Sequence, residues 1–113
     1  MVDPFDLFAK VVGFIWDEGN SEKNWIKHRV SQPECEEFFL NEPLLVAADT
    51  KHSATEARYF ALGQTDEGRQ LFVVFTVREL FIRVISARDM NRRERKEYEH
   101  AEAEKDNAQD SEV

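Results

Sequence analysis

One cysteine, Cys35, in 113 residues excludes an internal disulfide framework. No apolar run approaches the roughly 20 residues that a membrane-spanning helix needs. The opening Met1–Val12 has neither a cationic segment nor a cleavage site, so it does not read as a signal peptide. Together these absences point to the cytosol. Metal-ligand spacing is also missing: His52 with Asp49 is the nearest approach, and no second pair joins it. Positive charge is scarce, with 15 Lys+Arg against 23 Asp+Glu and a net charge of −8. That balance argues against binding duplex DNA through bulk charge. There is no internal repeat.

What is present is enough for one packed domain. Hydrophobic residues make up 42% of the chain, with nine Phe and two Trp. Asp3-Pro4 is a cap followed by proline, and Phe5, Phe8 and Val12 recur at helical spacing, so a short helix is predicted before Gly13. Phe14–Trp16 reads as a strand. Asn20 or Ser21 caps a helix to about His28, and Ser31-Gln32-Pro33-Glu34 is a capping box that opens a second helix to about Leu40. Strands are predicted at Leu44–Ala48, Ala57–Gln64, Leu71–Val77 and Leu80–Ala87, with a polar loop over Asp49–Thr55 and a hairpin turn at Thr65–Gly68. Leu71–Val77 is apolar on both faces and should be central. Asn91-Arg92-Arg93-Glu94 caps a last helix. After Tyr98 that helix offers only alanines and Val113 as apolar residues, so residues 100–113 are predicted to fray into a disordered acidic tail. The expected fold is α+β, a small antiparallel sheet flanked by helices in the order (α)βααββββα.

The scarce positive charge is concentrated. Arg78, Arg83 and Arg88 sit at or inside strands, and Arg92, Arg93, Arg95 and Lys96 follow in the last helix. Strands rarely carry arginine without a paired or functional reason, so this region is expected to meet an anion.

Further residues then fall into a known pattern. Phe14-Ile15-Trp16-Asp17-Glu18, Asn24, Lys27-His28, Val30-Ser31 and Glu36–Phe39 resemble the opening of the BrnT-type ribonuclease toxins. His52-Ser53, Glu56, Arg58-Tyr59, Leu62-Gly63 and Asp66–Gly68 are similar to its middle strands. Val73–Thr76, Arg78, Arg83–Arg88, Asn91, Glu94-Arg95 and Tyr98-Glu99 are similar to its end. The resemblance spans residues 14–99 and leaves residues 1–13 as an N-terminal extension. It implies the toxin of a type II toxin–antitoxin pair, with a RelE-like fold, which cleaves RNA without metal or cofactor and inhibits translation. It also implies a DNA-binding antitoxin that covers the toxin in a hetero-oligomer. Two positions depart from the pattern: Arg29 stands where Lys-His is usually followed by glycine, and Gln32 where an aromatic is usual.

Such cleavage uses the 2′-hydroxyl as nucleophile and needs proton transfer and cations for the phosphorane. Arg88 is the leading candidate, set against a structural pairing with Asp89 or Glu94. In an unbroken strand Arg83 and Arg88 point to opposite faces, so either a bulge realigns them or only one serves, and Arg83 itself is a substrate contact or half of a structural ion pair. Tyr98 is a proton donor or a stacking platform for a base, or else the packing anchor of its helix. Lys27 and His28 transfer protons or merely complement a helix C-terminus. Arg58, Arg78, Ser86 and Arg92 complete the expected substrate contacts, although Arg58 can pair with Glu56 and Arg92–Lys96 can be a solvated face. Trp16 and Trp25 read as core or interface, and Cys35 as a buried hydrophobe. The alternatives are a catalytically inactive interaction module and an RNA-binding regulator that does not cut.

Overall fold

Capping chemistry organises the first half of the chain. The computed structural model describes residues 2–52 and 56–110, without the side chains of residues 21, 23, 24, 26, 52 and 106–110. Asp3 accepts the Phe5 N–H at 2.9 Å and opens α1, Pro4–Leu7. This helix is a single turn, shorter than the Phe5–Phe8–Val12 stripe predicts. Phe8 enters the core, while Phe5 and Val12 are 83% and 69% exposed. The chain straightens because the Val12 N–H bonds the Leu80 carbonyl at 2.8 Å, which also sets the start of β1, Gly13–Ile15.

Helix α2, Glu18–His28, begins before the predicted cap. Asp17 and Asn20 form a reciprocal box: Asp17 Oδ1 accepts the Asn20 N–H at 3.1 Å, and Asn20 Oδ1 accepts the Asp17 N–H at 2.8 Å. The Ser21 side chain lies outside the described residues. Helix α3, Gln32–Leu40, opens with the predicted Ser31–Glu34 capping box and buries Cys35 and Phe38.

Strands β2 (Leu45–Ala48), β3 (Arg58–Gln64), β4 (Gln70–Arg78) and β5 (Phe81–Asp89) join β1 in one sheet of order β1-β5-β4-β3-β2. A 3-10 turn, Thr50–His52, occupies the start of the predicted polar loop, whose residues 53–55 lie outside the described set. The sheet is mostly antiparallel. β1 is the exception and runs parallel to β5, because the Val12–Leu80 bond places the starts of both strands side by side. The apolar β4 is central, as its sequence predicts.

One sheet face packs Val46, Ala61, Leu71, Val73, Phe75, Val84 and Ala87 against Val30, Cys35 and Phe38. Gly63 is required there: a Cβ would lie 2.7 Å from Phe38 Cε2. Gly63→Ala should therefore cost about 1–3 kcal/mol by overpacking, read as a lowered urea midpoint.

The other face holds a smaller cluster of Leu62, Met90 and Tyr98, flanked by Leu45 and Phe72, beneath α4 (Arg92–Asp110). The helix continues well past Tyr98, which corrects the expectation that it frays there. Lys105 Nζ reaches Glu42 at 2.7 Å, His100 and Glu104 lie 3.1 Å apart at i,i+4 spacing, and the alanines favour helix. Residues 111–113 of the predicted tail lie outside the described residues.

Candidate active site

A bulge decides which arginines share a face. Val74 pairs with Ser86 and the next residue, Phe75, pairs with Val84, so Ile85 is extra in β5. The alternation slips by one, and Ile82, Val84 and Ala87 all point into the core. Arg83 and Arg88 consequently lie together on the opposite face, the one that α4 covers only in part. Asn20 helps to hold this geometry. Its buried amide donates to the carbonyls of Ile15 at 2.9 Å and of Val84, beside the bulge, at 3.1 Å. Asn20→Ala leaves those groups unpaired and should cost about 2 kcal/mol in a denaturation curve.

Register lays the predicted residues out as rows across β3, β4 and β5. Arg58, Thr76 and Arg83 form one row; Phe60, Val74 and Ser86 the next; Leu62, Phe72 and Arg88 the third. Strand spacing places the Arg58 and Arg83 backbones roughly 10 Å apart, with successive rows about 7 Å along the strands. Arg78 shares this face by alternation with Thr76.

Carboxylates hold these arginines in place. Arg83 Nη1 bonds Asp17 at 2.6 Å, and Arg78 bonds Glu56 through Nε at 2.8 Å and Nη2 at 3.1 Å. Glu56 is held below the usual carboxylate range chiefly by the Arg78 hydrogen bond, with the charges of Arg58 and Arg83 contributing in addition. Arg58, Arg78 and Arg83 thus act on one point. Asp17 is lowered first by its hydrogen bond from Arg83.

Arg88 stands at the other end of the face, paired within the chain but still partly exposed. Its two Nη atoms clasp both Glu94 oxygens at 2.8 and 3.0 Å, and its guanidinium lies 4.2 Å from the centroid of the Phe72 ring. The pairing with Glu94 weighed from the sequence is what forms. Asn91 and Glu94 also make the predicted capping box of α4. Ser86 is half-buried between the two arginine groups, and Arg92 is exposed along with Arg93, Arg95 and Lys96.

Tyr98 is not available for proton transfer, which corrects its candidate role. Its ring is buried in the Leu62–Met90 cluster, its hydroxyl donates to the Pro43 carbonyl at 2.6 Å, and burial pushes its pKa above the ordinary tyrosine value. Tyr98→Phe should cost about 1 kcal/mol of stability and leave RNA cleavage within about twofold of wild type, measured side by side.

Lys27 and His28 lie at the end of α2, exposed and half-buried respectively. The His28 carbonyl accepts from Arg69 Nη2 at 3.1 Å, and the His28 charge acts on Asp89. Both residues therefore belong to the Asp89 end of β5, with Arg88, rather than to the Arg58–Arg78–Arg83 group. The fold rests there on Arg69, which sequence reasoning missed. All five of its N–H groups are used: two on Asp89, at 2.7 and 3.2 Å, one on Glu34 at 2.9 Å, and the others on the carbonyls of Arg29 and His28. Its carboxylate partners are 20 and 35 residues away, with no local pattern to announce them. These bonds also fix Arg29, whose φ of 55° is the left-handed conformation expected where glycine is usual. The Arg29 guanidinium packs over the Trp25 ring.

Cys35 is buried and burial pushes its thiol up to about 12, so it is no nucleophile. Trp16 packs against the core. Among the described residues no three His, Cys, Asp or Glu side chains cluster as metal ligands, and the His52 side chain is not among them. No helix among the described residues is long and apolar enough to cross a membrane.

A family described as "Ribonuclease toxin, BrnT, of type II toxin-antitoxin system" matches residues 16–94, more than two thirds of the chain. The chain belongs to the BrnT family. The crystal structure of the Brucella abortus ribonuclease toxin BrnT is similar to it, with 26% sequence identity and a TM-score of 0.53, over 73% of this chain and all of the other. No curated protein sequence matches. As a BrnT member the chain is a ribonuclease toxin of a type II toxin–antitoxin system, with an antitoxin as its partner. The matched span contains Lys27, His28, Arg58, Arg78, Arg83, Ser86, Arg88 and Arg92, whereas Tyr98 lies beyond it.

Proposed function

We propose that this chain is a metal-independent endoribonuclease that binds single-stranded RNA across the partly open sheet face and inhibits translation in the cytoplasm. The observation that carries this reading is the convergence of Arg58, Arg78 and Arg83 on one face beside the ionised Glu56 and Asp17. The toxin domain corresponds to residues 14–99, and a DNA-binding antitoxin covers the face in a hetero-oligomer.

In this mechanism the three arginines hold the scissile phosphate, and guanidinium forks stabilise the developing phosphorane charge. The 2′-hydroxyl oxygen bonds to phosphorus as the bond to the 5′-oxygen breaks. Glu56 takes the 2′-hydroxyl proton and returns it to the departing 5′-oxygen, leaving a 2′,3′-cyclic phosphate. Arg88, Lys27, His28, Ser86 and Arg92 contact flanking nucleotides. Glu56→Gln should lower turnover at least about 100-fold, measured as cyclic-phosphate product from a defined RNA in the presence of chelator. Unchanged turnover would remove Glu56 from the reaction.

A second reading is an inactive module that binds its protein partner. It is favoured by the pairing of Arg78, Arg83 and Arg88 with carboxylates within the chain. Antitoxin binding without any RNA cleavage would select it.

A further inference from the structure

Between the sheet and α4, next to the arginine rows, lies a groove of about 420 Å³. Its floor includes Leu62, Phe60 and Phe72, and its rim on α4 includes Arg93 and Glu97, one helical turn apart. Phe60 is 36% exposed, and its ring stacks on Phe72 with centroids 5.9 Å apart and planes 27° from parallel. Phe72 in turn carries the Arg88 guanidinium. Phe60 and Phe72 thus form one continuous aromatic surface on the groove floor. Here the flanking groups select among partners. Phe60 stands one row, about 7 Å, from Arg58 on the same strand face. A flat apolar floor, a few polar groups at the edge and a cation row one nucleotide's reach away are what an unpaired base on a phosphate backbone requires.

We propose that this groove is the nucleobase subsite of the toxin. Phe60 is the stacking platform, and Arg93 and Glu97 read the edge of the base that enters. The inference rests on the ribonuclease reading and adds the source of sequence preference to it. Stacking tolerates any base, so Phe60 sets affinity, while the α4 pair sets which base is favoured.

The test uses the full chain and a fluorescein-labelled single-stranded RNA carrying 2′-O-methyl groups, which cannot be cut, alongside an unmodified RNA whose cut sites are mapped. Phe60→Leu keeps the groove apolar and removes the stack. It should weaken RNA binding about 5- to 150-fold, and Phe60→Trp should restore it. Glu97→Gln should change the relative use of the mapped cut sites, read as the ratio of products at each position against wild type. Equal RNA affinity in wild type and Phe60→Leu, with both folded by circular dichroism, would overturn the subsite. So would a loss of antitoxin binding in Phe60→Leu with RNA affinity unchanged, which would make the groove a protein contact. If wild type cleaves but the Phe60 and Glu97 variants match it, only the subsite falls. If wild type neither binds nor cleaves RNA, the ribonuclease reading falls with it.

Discussion

Arg83→Ala should lower RNA cleavage about 100- to 1,000-fold, the cost of removing one preorganised group that stabilises the developing charge. Its place on the sheet is the reason for expecting so much. Cross-strand pairing sets Arg83 on the face shared with Arg58 and Arg78, at the row where Thr76 separates two guanidinium groups. Stability should hardly change, because the Arg83–Asp17 pair is solvent-exposed on the Asp17 side and such pairs contribute little. Arg83→Lys should recover only part of the activity, since an ammonium cannot present the two-pronged fork. Asp17→Asn is the useful companion. It weakens the grip on Arg83, and cleavage should survive. Initial rates on a short RNA, with thermal melts of each variant, separate a chemical loss from an unfolded protein.

Arg69→Ala should be the most destabilising of these substitutions, by about 3 kcal/mol, toward the lower end of what breaking a paired buried charge costs because the side chain remains 27% exposed. It removes five hydrogen bonds that join the end of α2, the start of α3 and the end of β5, and it leaves the left-handed Arg29 turn unsupported. A few kcal/mol is a large share of the total for a domain of this size. The same hub predicts acid sensitivity. Asp89 is lowered chiefly by its hydrogen bond from Arg69. Glu34 is pushed up by burial but held low on balance by the Ser31 N–H and by Arg69. Both folded pKa values lie below the ordinary 3.8 and 4.5, so their stabilisation is present above those values and is lost as pH falls through the lowered ones. Urea midpoints from pH 7 downward should fall steeply below about 4 in wild type and less steeply in Arg69→Ala. Parallel curves would remove Arg69 as the origin of the acid response.

These two arginines also show what the sequence made legible. Local chemistry was readable: Ser31–Glu34 and Asn91–Glu94 form the expected boxes, and the apolar run in β4 became the central strand. Asn20 looked like a cap and serves inside the helix, because its side chain is drawn to a carbonyl on β5, 64 residues away. Whether Arg83 and Arg88 agree in direction depended on a bulge with no sequence marker. The answer lies in the cross-strand register, where Ile85 has no partner of its own. Tyr98 had two readings of similar standing, and burial beneath α4 selects the anchor. Arg69 carries no local signal, because a hairpin residue whose partners lie 20 and 35 residues away looks like an ordinary surface charge. The length of α4 is hidden from the sequence for a related reason: Lys105 finds Glu42 only in three dimensions.

On the proposed mechanism the arginine-bearing sheet face cuts RNA without a metal. The most direct measurement is cleavage of a defined single-stranded RNA by the purified chain in excess chelator, with Arg83→Ala and Tyr98→Phe run in parallel. Cleavage to a 2′,3′-cyclic phosphate, lost in Arg83→Ala and kept in Tyr98→Phe, is the predicted result. No cleavage by the wild type, or cleavage untouched by Arg83→Ala, would contradict it.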